Sequence, residues 1–234
     1  MKKISVLVAT VTVALGISAT SCDSKRSVNL KKDLDSASYA LGLVQGDGFR
    51  PNIATLPGEP LNVDLFLAGL EAGMKEDTKS YKISVEEAQN YLNTYFQAAQ
   101  EREMQARKEE GEKFLEENKA KSGVITTESG LQYQVVSEGN GPKPTADNIV
   151  KVHYTGTLLD GSVFDSSVEK GEPATFGVTK VIRGWTEALQ LMPVGSKYII
   201  WVPADLAYGE RGAGQMIKPN STLKFEVELL EIVE

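Results

Sequence analysis

One cysteine and one histidine in 234 residues remove several chemistries at the outset. No intrachain disulfide can form, and no set of Cys and His side chains can enclose a zinc ion. A Ser-His-Asp hydrolase would have to use His153, and no nucleophile-elbow sequence accompanies it. Excess positive charge is also missing: 25 Lys and Arg against 32 Asp and Glu leave a net charge of -7. That argues against nucleic acid as a partner, because phosphate contacts need clustered cations. A second long apolar run is absent, so nothing after the N-terminus is expected to span a bilayer. There is no internal repeat and no low-complexity stretch. What remains is an ordinary soluble composition, long enough for one large or two small domains.

The N-terminus has the layout of an export signal. Lys2 and Lys3 supply a positive end, and residues 4–17 are apolar apart from Ser5, Thr10, Thr12 and Gly16. Ser18-Ala19-Thr20-Ser21 then places small residues before Cys22. This end resembles a bacterial lipoprotein processing site, with Ala19 where such sites usually carry Leu. Residues 1–21 are thus expected to be a signal peptide, Cys22 the lipidation site, and residues 22–33 a lipid-anchored tether. The expected location is the cell envelope, as an outer-membrane lipoprotein facing the periplasm. Ordinary signal-peptidase cleavage, leaving Cys22 free, is the alternative. Acyl chains contribute about 0.8 kcal/mol per buried methylene, so several together hold a protein on a membrane.

Residues 34–122 read as helical. Asp35 or Ser36 suits the cap of a helix carrying Tyr39, Ala40, Leu43 and Val44. Three prolines and a glycine over residues 51–60 indicate a loop. Asn62 suits the cap of a second helix over residues 63–75, in which Gly69 and Gly73 sit one turn apart. Small residues at that spacing serve either plain packing or the close approach of a second helix. The third signal is the clearest. Ser84 and Glu87 form a capping box, and Ala88, Tyr91, Leu92, Tyr95, Phe96 and Ala99 follow at i, i+3, i+4, i+7, i+8 and i+11. Beyond Ala99 charge takes over, with Glu103-Arg107, Glu109-Lys113 and Glu117-Lys121 at i,i+4, each pair adding about 0.2–0.5 kcal/mol. One helix is expected over residues 84–121, packed in its first half, wet in its second, able to bend at Gly111, and stopped by Ser122-Gly123. The apolar face exceeds what three helices can bury alone, so a homodimer through these helices is expected.

From residue 123 the period changes. Val150, Val152 and Tyr154 alternate with Lys151, His153 and Thr155, and Leu223, Phe225, Val227 and Leu229 alternate with charged residues. These are half-buried antiparallel strands. Asp160-Gly161 is a hairpin signal, residues 196–202 read as another strand, 181–189 as a short helix, and 204–219 as a Gly-rich loop. The fold class is α+β: an all-α N-terminal domain with a long linking helix, then an antiparallel half-barrel wrapped on a short helix.

Aromatic residues are dispersed along this second half, at Tyr154, Phe164, Phe176, Trp185, Tyr208 and Phe225, with no nucleophile beside them. One reaction needs an apolar cup and no nucleophile: rotation about the bond before proline. Rotation about an ordinary amide costs about 18–20 kcal/mol because resonance is lost, and the uncatalysed X-Pro change takes tens of seconds or more. The planar amide is the more polar state. A dry cup therefore disfavours the ground state more than the twisted one, with no proton transfer.

The motifs Val-His-Tyr-Thr-Gly-Thr-Leu-Leu-Asp-Gly, Val-Phe-Asp-Ser-Ser, Val-Ile-Arg-Gly-Trp, Ala-Tyr-Gly and Leu-Lys-Phe-Glu-Val-Glu-Leu occur in that order over residues 122–234. Together they resemble the FKBP-type peptidyl-prolyl isomerases. The helical half is similar to the dimerisation domain of the bacterial Mip-type and FkpA-type members. The resemblance implies an isomerase domain over residues 123–234 that acts on proline-containing unfolded or exported polypeptides and uses no cofactor. It implies Trp185 as a pocket floor, Tyr154, Phe164 and Phe225 as walls, Phe176 nearby, and Val181, Ile182 and Ile217 on the rim. Tyr208 would offer its hydroxyl, and Ile182 its backbone amide, to substrate carbonyls. Asp165 would sit beside the twisting amide. Ala174 and Ala213 stand where many relatives carry larger side chains, which implies a more open rim.

Other readings stand beside these. Phe176 and Phe225 also suit a plain core, Trp185 an ordinary core residue, and Asp165 a cap for the Ser166-Ser167 turn. His153 should face away from the cup. Two further functions compete with isomerisation: a chaperone whose helical half holds unfolded clients, and a structural adaptor with an inert second half.

Overall fold

The structure, a computed structural model, describes residues 28–75, 78–79 and 81–233. The expected signal peptide and Cys22 lie outside the described residues. The described residues fall into two compact units, divided between Ile53 and Ala54.

The described part of the first unit is almost entirely helix α1 (Asp33–Ala54). Its first turn carries Asp33 and Asp35, which suit the positive end of the helix dipole. Asp35 and Ser36 therefore lie inside the helix rather than at its cap. The helix also runs through Pro51, where a loop was expected. Pro51 lies in the last turn, so its missing N–H removes one terminal bond only, and the helix stops at Ala54. None of its residues is buried: Leu34 is 76% exposed.

In the second unit, helix α2 (Val63–Met74) is capped as expected, with the Asn62 side chain accepting from the Leu65 amide at 3.1 Å. Helix α3 (Val85–Asn118) begins at the complete capping box. Glu87 N–H donates to Ser84 Oγ at 3.1 Å, and Ser84 N–H donates to Glu87 Oε2 at 2.8 Å.

The expected division of α3 into a packed first half and a wet second half holds only in part: Ala99 is buried and Tyr95 and Phe96 are half-buried, but the second half also docks. Tyr91 is 64% exposed, whereas Gly111 and Asn118 are buried. Arg107 Nε donates to Pro219 O at 3.0 Å. Asn118 Nδ2 donates to Gln132 Oε1 at 2.9 Å, and Gln132 Nε2 to Leu115 O at 2.7 Å. A Cβ on Gly111 would lie 2.4 Å from Thr222 Oγ1, so this glycine marks a contact rather than a bend. The docked stripe is Arg107, Gly111, Leu115 and Asn118, which lies at helical spacing but is mostly polar or small. A search for apolar periodicity passes over it. Of the expected ion pairs Glu103–Arg107 forms, at 3.5 Å. Lys113 instead reaches Glu117 at 4.0 Å, and Lys121 lies over the Phe114 ring.

The sheet is antiparallel and seven-stranded. Its elements are β1 (Val124–Thr126), β2 (Gln132–Ser137), β3 (Ile149–Thr157), β4 (Val163–Ser166), a one-turn helix α4 (Ser167–Lys170), β5 (Ala174–Gly177), helix α5 (Arg183–Leu191), β6 (Lys197–Val202) and β7 (Leu223–Ile232). The order is β1-β2-β6-β7-β3-β4, with β5 also on β3. Strands β1 and β5 have 3 and 4 residues, too few for an alternating pattern to register. Strand β2 begins on a buried glutamine, a residue that reads as surface.

The alternation in β3 and β7 behaves as read. Val150, Val152 and Tyr154, and Leu223, Phe225, Val227 and Leu229, all point into the core. Trp185, Ala188 and Leu189 of α5 close that core from the sheet's inner side. Gly184 permits the close approach, since a Cβ there would lie 2.4 Å from Val202 Cγ1.

Candidate active site

Neighbouring strands bring the dispersed rings to one place. Tyr154 comes from the inward positions of β3, Phe225 from β7, Phe164 and Asp165 from β4, and Phe176 from β5. Trp185 lies in the first turn of α5. Its ring meets Tyr154, Phe176 and Phe225 edge to face, with centroids 5.2, 5.9 and 5.3 Å apart. Phe164 and Phe225 meet the same way at 5.5 Å. Gly156 makes the room: it pairs with Phe225 across the sheet, and a Cβ there would lie 2.6 Å from Phe164 Cζ and 2.9 Å from Phe225 Cε1.

These rings line a cavity of about 410 Å³, within the ordinary range for a ligand pocket. Val181 and Ile182 complete its wall, and Tyr208, 41% exposed, stands at its mouth. Ile182 is also the N-cap of α5, and its carbonyl accepts from the Trp185 and Thr186 amides at 2.9 and 3.1 Å. Nine of the ten residues named as catalytic or substrate-binding from sequence therefore line one cavity. Ile217 does not: it is buried in the core behind, bridged to Ala213.

The polar side of the cavity is an ordered cluster. Tyr154 Oη donates to the Asp165 carboxylate. Lys170 Nζ donates to Asp165 Oδ1 at 2.6 Å. Asp165 is not the turn's cap; Ser166 is, with its Oγ accepting from Glu169 N–H at 3.2 Å. Burial pushes the Asp165 carboxyl upward, but hydrogen bonds from Lys170 and Tyr154, the Lys170 charge and the Ser166 amide outweigh it and hold it below the usual carboxylate range. Burial, then the bond to Asp165 and its charge, pushes the Tyr154 phenol well above its ordinary value. Tyr154 is therefore a neutral donor and Asp165 an anion at neutral pH.

Because the folded-state value of Asp165 is depressed, its stabilisation is complete above the unfolded value, near 3.9. It is lost as pH falls through the lower folded-state value. Thermal unfolding between pH 7 and 2 should accordingly show an acid loss that is smaller in Asp165→Asn; an identical acid limb in both would count against the cluster.

Lys170 and Lys180 were not anticipated. Lys170 lies beyond the turn from Asp165, and Lys180 lines the mouth as an exposed cation. The only sequence signal was a lysine next to each motif. His153 Nδ1 lies 3.1 Å from Ser167 Oγ and does not line the cavity.

The lining is six aromatic rings, two aliphatic side chains, Lys180 and the ordered Asp165 carboxylate, on an antiparallel half-barrel. The model of the FKBP-type peptidyl-prolyl cis-trans isomerase family matches residues 141–230, and that of the domain amino terminal to it matches residues 34–135. The FKBP-type 22 kDa peptidyl-prolyl cis-trans isomerase of Escherichia coli (strain K12) is 47% identical over 198 residues, 84% of this chain and 94% of its own. The outer membrane protein MIP of Legionella longbeachae is 40% identical over 222 residues, 92% of both chains. The crystal structure of FkpA from Escherichia coli matches with a TM-score of 0.73 at 35% identity, covering 87% of this chain and 98% of that one. The chain belongs to the FKBP-type peptidyl-prolyl cis-trans isomerase family, and its activity is the interconversion of cis and trans X-Pro bonds.

Proposed function

We propose that this isomerase takes a proline of an exported, incompletely folded polypeptide into the ring-lined cavity and releases it after the preceding bond has rotated. The observation that carries this is the set of three edge-to-face contacts around Trp185, within a cavity that Tyr208 and Asp165 also line. Trp185 is the floor, and Tyr154, Phe164, Phe176 and Phe225 are the walls. Val181 and Ile182 border the chain, with the Ile182 amide and the Tyr208 hydroxyl as donors to substrate carbonyls. Asp165, held by Tyr154 and Lys170, lies beside the imide as it twists. A tenfold gain needs only about 1.4 kcal/mol of preference for the twisted state.

Combining Tyr208→Ala with Asp165→Ala is the test. Proline-peptide isomerisation should fall at least tenfold, while protection of a denatured client from aggregation persists. An unchanged isomerisation rate would remove these residues from the mechanism.

The organisation proposed with this function is a signal peptide over residues 1–21, a tether over 22–33 lipidated on Cys22, a helical dimerisation domain over 34–122, and the isomerase domain over 123–234. Envelope location is supported by the signal-like N-terminus and by the name of the Legionella relative. Dimerisation is supported by apolar side chains left exposed on each helix: Leu43 at 62% on α1, Leu65 at 71% on α2 and Tyr91 at 64% on α3. Light scattering of residues 23–234 should give twice the chain mass at micromolar concentration; a monomer mass would exclude the dimer.

A further inference from the structure

Tyr208 stands in the least regular part of the cavity. The segment that follows it is rich in glycines held at positive φ, namely Gly209 at 55°, Gly212 at 64° and Gly214 at 56°. Such a stretch has high conformational entropy and does not by itself fix the direction of a neighbouring side chain. A local bridge helps: Ala213 and Ile217 exchange hydrogen bonds at 2.7 and 3.2 Å. The other tie comes from Asn220.

Asn220 donates hydrogen bonds to two separate segments. Its backbone N–H donates to Gly209 O at 2.9 Å, on the residue directly after Tyr208. Its side-chain Nδ2 donates to Met104 O at 3.2 Å, on helix α3 and 116 residues away in sequence. Only the amide nitrogen of an asparagine can face a carbonyl, so the chemistry fixes which end points there. The residue sits at φ 61°, a left-handed conformation that asparagine tolerates and most other residues resist. Its neighbours reinforce the tie. Pro219 O accepts from Arg107 Nε, and Thr222 rests against Gly111. Met104, Arg107 and Gly111 lie at i, i+3 and i+7, on one face of the helix.

We propose that Asn220 is a positioning residue, which fastens the Tyr208 end of the cavity to helix α3 so that the helix splints a loop with little structure of its own. This rests on the reading of Tyr208 as a hydrogen-bond donor to substrate. A donor that engages the chain equally in the planar and twisted states contributes to binding rather than turnover. Loosening it raises KM and leaves kcat nearly unchanged.

Two substitutions isolate the side-chain donor. Asn220→Asp keeps the shape and the tolerance of positive φ but presents no N–H to Met104 O. Asn220→Gly keeps the backbone conformation and the bond to Gly209 while removing the side chain. In the full chain both variants should raise KM for a proline peptide three- to tenfold, with kcat within twofold of the parent. Amide hydrogen exchange over residues 208–212 should accelerate while β6 and β7 stay protected. In a Tyr208→Phe background, Asn220→Gly should raise KM no further, because the two act as one unit.

Parent-like KM and exchange in both variants, or KM effects that multiply in the double variant, would overturn the proposal. Global loss of protection with a falling kcat would do the same, by showing a residue that serves the fold alone. Faster loop exchange in both variants, with Tyr208→Phe leaving KM unchanged, would uphold the splint and reject the donor role of Tyr208.

Discussion

Truncating Trp185 to alanine is expected to lower the stability of the catalytic unit by about 3–5 kcal/mol, the range for emptying a buried tryptophan site. The ring is 4% exposed and touches Tyr154, Phe176 and Phe225. The loss is mainly one of packing, since three rings rest against the indole. The neighbours are rings anchored in three different strands, so they cannot collapse far into the space. Against a total of roughly 5–15 kcal/mol for a folded domain, this is a large fraction. The melting temperature should drop by about 10 °C or more. Calorimetry reads it, and a shift of under about 2 °C would show that the floor is not structural. Trp185→Phe retains most of the buried area and separates stability from activity. It should fold near normally while proline-peptide KM rises, because the cavity becomes deeper and less closely matched.

The second large effect concerns a residue with no side chain. Gly156→Ala should destabilise by about 1–3 kcal/mol, the usual cost of overpacking a well-filled site. The new Cβ would meet Phe164 Cζ at 2.6 Å and Phe225 Cε1 at 2.9 Å, and both rings are half of an edge-to-face pair. Either β3 shifts away from β7 or the rings swing into the cavity. In both cases isomerase activity should fall at least tenfold, which separates this site from an ordinary core clash. Combining Gly156→Ala with Phe164→Leu should recover part of the stability, since the smaller side chain vacates the contact. Strict additivity of the two changes would mean that the clash is relieved elsewhere.

Features that depend on neighbours in the chain were legible from residue order alone. The Asn62 cap and the Ser84–Glu87 box form because donor and acceptor lie three residues apart, so no distant segment has to intervene. Strands β3 and β7 alternate because one face of each is buried, and a slip of one residue would turn Tyr154 or Phe225 outward. The Asp160-Gly161 turn was equally legible, with Gly161 at φ 89° and Ser162 N–H donating to Asp160 Oδ1 at 2.8 Å. Motif resemblance then supplied most of the cavity lining, because alternating positions in paired strands converge on one face.

Couplings between residues far apart in the chain became visible in the fold. Helix α3 is charged along its second half and reads as wet there, yet Arg107 and Asn220 tie it to a loop more than a hundred residues away. Lys170 joins Asp165 because a one-turn helix follows β4 and packs on β3, and Ile217 is held in the core by the bridge between its loop and Ala213. The physical reason is common to these cases. A hydrogen bond or a snug glycine contact requires a partner only at one point in space, and a polar stripe that finds such partners leaves no hydrophobic period for the sequence to display.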